Sequence, residues 1–259
     1  RFQEDAVLRW TRIRIVALAV TTSLPLLAES PSVTDGRRSD LAAFRRDFFA
    51  RDNSYSAEHR AQASDRLAKL EAQVGTVTAA HFELELARIV ALADNGHTNS
   101  PAGFRSRRYA RVPVRFVPFG DQFYVLRADT AHADLLGARL LSIDGKSLQE
   151  VRTVAHTLWG GTQSWRDRFV PFVLESPDQM QVLGLGTRAD GATYRLELRT
   201  GRTVERRMVA DPPNANREFW GSIRWLYPDP LDDDRGAWKM LASRERTPWA
   251  FRDPATTFR

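Results

Sequence analysis

The chain has 259 residues, 42% hydrophobic and 27% charged, with 38 Lys and Arg against 32 Asp and Glu and no cysteine. That length suits one large or two small domains with a sizeable core. A mean hydropathy of −0.42 excludes a multispan membrane protein, and the apolar fraction excludes general disorder. Without cysteine there is no disulfide framework, no thiolate metal site and no cysteine nucleophile. The net charge of +6 raises nucleic-acid binding, since a basic surface attracts phosphate. Yet the arginines are spread through every region (Arg12, Arg88, Arg188, Arg224), and only Arg105, Arg107, Arg108, Arg111 and Arg115 form a dense run. A solvated basic face is the simpler reading of that run, and no nucleic-acid partner is expected.

Arg rather than Met stands first, which reads as an incomplete or processed end. Arg9, Arg12 and Arg14 precede 14 mostly apolar residues ending at the small Ala28, the pattern of an export signal over residues 1–30. The stretch is too short for a stable membrane span, which needs roughly 20 apolar residues, and Pro25 interrupts it. A periplasmic or otherwise exported protein is expected.

Residues 29–36 read as a linker. Leu41, Phe44 and Phe48 then recur at helical spacing, and Leu67, Leu70 and Val74 do so in a second helix over 58–74. Thr76 or Thr78 caps a third helix over 79–93, with Phe82, Leu86, Ile89 and Val90 inward. That helix is expected to end at Asp94-Asn95-Gly96, Gly96 taking the left-handed conformation. The period then changes. Val112, Val114 and Phe116 alternate with Pro113, Arg115 and Val117, and Phe119-Gly120-Asp121-Gln122 separates them from an apolar run over 123–127, a β-hairpin pattern. A strand over 138–143, a tight Asp144-Gly145 turn and a helix over 147–158 follow. Further strands are expected at 180–185, 192–199 and 203–209, the last two joined by Thr200-Gly201-Arg202. After Asp211 no clean period remains.

Most motifs that carry chemistry are absent: no H-E-x-x-H, no phosphate-binding glycine-rich loop, no G-x-S-x-G. Gly184 and Gly186 lack the following helix that a dinucleotide site needs. His81, Glu83 and Glu85 share a helix, but side chains at i, i+2 and i+4 do not converge on one metal. Asp232-Asp233-Asp234 resembles the start of a calcium loop without its later ligands. Neither a metal nor a cofactor is expected. One segment is richer. His97 follows a strongly apolar helix and is crowded by Asp94, Asn95, Thr98, Asn99 and Ser100, short polar groups that suit a positioned general base or a hydrogen-bonding cluster. The stretch 136–151 reads as a compact strand–turn–helix unit.

The order of Gly96-His97-Thr98, Val112-Pro113-Val114-Arg115 and the Gly137-x-x-Leu140-x-Ser142-Ile143-Asp144-Gly145 pattern resembles the amino-terminal half of C-terminal-processing (tail-specific) serine peptidases, in their exported, tricorn-like branch. The resemblance covers roughly residues 37–210. It implies a PDZ-like segment that presents peptides by strand addition, and a role for His97 as the base assisting a serine, supported by Asn95 and Thr98. Asn95 stands where many relatives have Asp. The resemblance also implies a crotonase-like α/β domain carrying the nucleophile, and no stretch of this chain looks like one. Lys146 lies in the PDZ-like turn and is not offered as a base; Ser100 and Ser142 show no sign of activation.

The sequence therefore predicts an α+β protein: an export segment (1–30), a helical amino-terminal domain (31–100), a β-rich PDZ-like region (101–211) and an irregular lead-in to an absent catalytic domain (212–259). The expected function is the accessory, substrate-presenting half of an exported serine-peptidase homologue, with peptides or unstructured proteins as partners and no activity as this fragment. The alternatives are a non-enzymatic peptide-binding module ending naturally at Arg259 and, behind it, an Arg-mediated nucleic-acid binder.

Overall fold

The computed structural model describes residues 31–100, 107–214 and 238–242. The export segment, Asp232–Asp234 and the lead-in over 248–259 lie outside the described residues. The chain is α+β, helices first and an antiparallel sheet after them.

Helix α1 (Pro31–Ala43) runs into a π-helical turn, Phe44–Phe49. The expected linker over 29–36 is therefore corrected from Pro31 onward. Arg37 in this segment is buried; its Nη1 donates to Val77 O at 2.9 Å and its guanidinium lies 5.1 Å from the centre of the Phe82 ring, which holds α1 on the helices that follow. Ser56 caps α2 (Ala57–Gln73), accepting from His59 N at 3.1 Å. Thr78, of the two threonines proposed, caps α3 (Ala79–Ala91), accepting from His81 N at 3.2 Å.

Helix α3 joins two cores. Its Phe82 and Ile89 pack with Leu41, Leu67 and Leu70 in the helical cluster. Its Leu84 and Ala87 pack with Val114, Phe116, Trp159 and Tyr194 beneath the sheet. Apolar residues on both faces make α3 a shared wall rather than a surface helix.

The main path of the sheet runs from Val114–Phe119 through Gln122–Asp129, Arg139–Ile143 and Gly191–Glu197 to Thr203–Val209. Strands β1 (Val114–Phe119) and β2 (Gln122–Asp129) form the expected hairpin, turning at Gly120 with φ +62°. Strand β3 (Arg139–Ile143) turns through Asp144 and Gly145 into the short β4 (Lys146–Ser147). Both turn residues have positive φ, 48° and 78°, as a tight hairpin turn twisted to match its strands requires. Ser147 and Glu150 close a capping box on α4 (Leu148–Ala155). A 3-10 turn (His156–Leu158) and the short helices α5 (Gln163–Asp167), α6 (Val170–Leu174) and α7 (Pro177–Val182) complete the crossover to β5 (Gly191–Glu197), which pairs with β6 (Thr203–Val209). Strand β7 (Trp238–Met240) adds to the far end of β2.

The strand expected at 180–185 is thus a helix and its cap. Pro177 opens α7, and Gly184 (φ +73°) closes it, with Leu185 N donating to Met180 O at 2.8 Å and Gly184 N to Gln181 O at 3.1 Å. This is the six-to-one, five-to-two pattern of a Schellman cap. Met180, Leu183 and Leu185 are buried by that cap and not by strand alternation.

The dense arginine run divides: Arg108 is exposed and pairs with Glu83 at 2.9 Å, whereas Arg111 and Arg115 turn inward. Arg111 and Arg115 are 3% and 5% exposed and gather on Glu175, which is 0% exposed. Arg111 Nη2 donates to Glu175 Oε2, Phe116 N to Glu175 Oε1 at 2.7 Å, and Arg115 donates to the carbonyls of Val112 and Val114 at 2.7 and 2.8 Å. The Arg115 guanidinium also lies 4.4 Å from the centre of the Trp238 ring, tying β7 to the core. No helix among the described residues is long and apolar enough to cross a membrane.

Candidate functional site

The loop carrying His97 leaves α3 earlier than its sequence suggests. The helix stops at Ala91, and two tight turns follow, Ala93 N to Val90 O at 3.1 Å and Asp94 N to Ala91 O at 2.9 Å. Asp94, not Gly96, is the left-handed residue, with φ 49°. A short polar side chain tolerates that region better than most. Gly96 serves another purpose: a Cβ there would lie 3.1 Å from Cδ1 and Nε1 of Trp165, so the missing side chain makes room for the indole.

His97 is exposed and its ring sits against Trp165, centroids 6.0 Å apart at 30°. Asn95 and Thr98 are brought to it, but at its backbone. Asn95 Oδ1 accepts from His97 N at 2.9 Å, Asn95 Nδ2 donates to Ser54 Oγ at 3.4 Å, and Thr98 N donates to Asn95 O at 3.0 Å. Among the described residues no carboxylate or hydroxyl hydrogen-bonds the His97 ring. Ser142 lies in β3 opposite Ser147, and Lys146 is exposed, 3.9 Å from Glu150.

What holds the loop comes from a segment some 65 residues away that sequence reasoning did not single out. Gly160 and Gly161 lie directly on it. A Cβ on Gly160 would stand 2.6 Å from Asn95 N, and one on Gly161 would stand 2.9 Å from Gly96 Cα. Gly161 N donates to Asp94 Oδ1 at 3.1 Å, and Arg166 pairs with the same oxygen. The consecutive glycines before Thr162, the N-cap of α5, were a legible sign of close backbone approach. Their partner was not legible.

Behind the loop a cleft of about 260 Å³ opens between α2, α3 and the 156–166 segment. His156 lines it. Its Nε2 meets Asp167 Oδ1 at 2.7 Å, and Arg152 grips both oxygens of the same carboxylate, with Nε at 2.6 Å from Oδ1. Burial pushes the His156 pKa below its ordinary value, and the hydrogen bond to Asp167 offsets only part of that. At neutral pH the contact is therefore a hydrogen bond from a neutral imidazole, not an ion pair. Burial alone would raise Asp167, but the hydrogen bonds from Arg152 and His156 outweigh it and hold the carboxyl below the ordinary range. Among the described residues no His, Cys, Asp or Glu side chains gather in a set that could hold a metal ion. Glu83 is engaged by Arg108 and Tyr109, and Glu85 by Arg66 and Arg88, so the carboxylates sharing α3 with His81 turn to separate partners.

Fold and loop define an α+β protein in which an exposed histidine is braced where a helical region meets an antiparallel sheet. No protein-family model and no curated protein sequence matches the chain. Among solved structures it is similar to CPAF, a chlamydial serine protease. With mature CPAF complexed with lactacystin it shares 18% identity over 69% of this chain, at a TM-score of 0.46. With a single-site CPAF mutant it shares 18% over 70%, at 0.44. The chain spans 35% of the length of those CPAF chains.

Proposed function

We propose that this chain is the accessory, substrate-presenting part of an exported serine-peptidase homologue acting on peptides or protein tails. In that reading the 101–211 region is the PDZ-like part that offers a sheet edge to an extended substrate. His97 accepts the proton of a serine hydroxyl as it attacks the scissile carbonyl, then returns it to the leaving amine. The serine comes from residues beyond those described.

The observation that supports this reading is the bracing of the His97 loop. A solvated surface histidine needs no scaffold. Here two glycines, the Trp165 indole and the Arg166–Asp94 pair hold the loop while leaving the imidazole exposed. Rigid backbone under an accessible base is what general-base catalysis asks for. The Gly96-His97-Thr98 and Gly137–Gly145 motifs supply the chemical class.

The test compares the 259-residue chain with one extended along its own reading frame, using fluorogenic unstructured peptides. The extended chain is expected to cleave them, the shorter one to be inert, and His97→Ala to abolish cleavage in the extended form. Full activity of the extended His97→Ala variant would overturn the assignment of the base. A reading frame that stops at Arg259 would leave the non-enzymatic peptide-binding module as the function.

A further inference from the structure

The cleft behind the His97 loop carries an inference independent of the peptidase reading. We propose that it is a binding site for a phosphate group, free or esterified.

Six charged or titratable side chains line the cleft: His59, Arg66, Arg88, Asp94, His156 and Arg166. The three arginines come from three elements, α2, α3 and α5, and their donors outnumber the acceptors supplied. Glu85 alone serves two of them, accepting from Arg66 Nη1 at 2.5 Å and from Arg88 Nη1 at a long 3.4 Å. Arg88 Nε reaches only a neutral acceptor, Thr157 Oγ1 at 3.3 Å. Arg166 pairs with Asp94 through Nη2, while its Nε is buried with no acceptor among the described residues. Asp94 is already shared with Gly161 N. Asp167, the remaining carboxylate, is neutralised by Arg152 and points its other bond at His156.

Three guanidiniums thus face two carboxylates around one cavity. An excess of half-buried positive charge with unused N–H donors favours an anion, because hydrogen bonds to a charged acceptor are roughly twice as strong as neutral ones. The arrangement also selects among anions. A carboxylate offers two oxygens in one plane and is satisfied by a single guanidinium fork. A tetrahedral phosphate offers oxygens in several directions and can engage arginines that approach from separate elements. The volume of about 260 Å³ accommodates the phosphate with part of an ester group.

The experiment titrates the 259-residue chain at pH 7 and low salt with inorganic phosphate, phenyl phosphate and acetate, following arginine Nε–H and Gly161 amide shifts and heat. Saturable phosphate binding is expected, with acetate at least about tenfold weaker. Arg88→Gln removes one guanidinium and should weaken phosphate by about tenfold, the effect of one charge-assisted hydrogen bond. Glu85→Gln removes the competing carboxylate and should tighten it. Arg66→Gln, on the exposed side of α2, provides the same readout should Arg88→Gln unfold. A preference for inorganic or phenyl phosphate identifies the ligand as free or esterified. Acetate binding as tightly as phosphate, a response that never saturates, or phosphate affinity unchanged in both arginine variants would overturn the proposal.

Discussion

Replacing Gly160 by Ala tests the contact on which the His97 loop depends. The added Cβ would stand 2.6 Å from Asn95 N, 2.8 Å from Asp94 Cα and 2.9 Å from Asp94 C. All three are backbone atoms, so no side chain can swing aside. Ordinary contact begins at 3.4 Å, and the two backbones must separate by about 0.8 Å. Gly160 is not among the positive-φ glycines, so the penalty is steric alone. Over-packing of this kind costs about 1–3 kcal/mol, and an unyielding backbone partner puts the cost near the upper end. The separation also weakens the bond from Gly161 N to Asp94, worth about 1 kcal/mol. A loss of about 3 kcal/mol lowers Tm by roughly 6–12 °C in a domain of this size. Gly36→Ala is the control: it lies inside α1 with nothing within 4 Å of its Cβ, and should stabilise by about 0.5–1 kcal/mol. Thermal unfolding measures both, and the Trp165 near-ultraviolet signal reports on the loop. An unchanged Tm and Trp165 signal in Gly160→Ala would refute the docking of the two segments.

Two further outcomes follow from the buried charges. Glu175→Gln removes the buried carboxylate on which Arg111 and Arg115 converge, and breaking a buried ion pair costs about 3–5 kcal/mol. A shift of the urea midpoint at constant m-value measures it, and a loss below about 1 kcal/mol would mean that the cluster is hydrated. His156 gives a pH signature. Its folded pKa lies below the ordinary 6.5, so the unfolded chain binds that proton more tightly. Stability should therefore be full above that value and decline as pH falls through it, with a second decline below 3.8 as Asp167 takes its proton. Urea midpoints between pH 8 and 5 should show the first slope, and His156→Gln should remove it. A slope that persists in the variant belongs to another group.

Local chemistry made much of this architecture legible. Ser56, Thr78 and Ser147 precede helices and cap them. The alternation through Val112–Val117 and the Asp144-Gly145 turn produce the hairpin and the strand–turn–helix unit because strand period and turn conformation are set by neighbouring residues. Where the reading failed, two structures shared one pattern. Met180, Leu183 and Leu185 suit a short strand as well as a capped helix, and Pro177 and Gly184 were the signals that distinguish them. Gly96 looked like a C-cap because a glycine after a helix usually is one, yet its lack of a side chain is used by Trp165.

The polar constellations divide along the same line. The crowding of Asp94, Asn95, Thr98 and Asn99 about His97 is a fact of chain proximity and could be read directly. That the loop rests on Gly160 and Gly161, that Arg111 and Arg115 close on Glu175, and that Arg66, Arg88 and Arg166 meet in one cleft are consequences of packing. Propensity acts over a few residues, whereas these partners lie 22 to 100 positions apart in the chain. Packing supplies that proximity, and α3 contributes by burying residues in both cores. Two arginines of the run that reads as a basic surface in the sequence, Arg111 and Arg115, become once folded part of an internal salt-bridge cluster, while arginines scattered along the chain line a cleft.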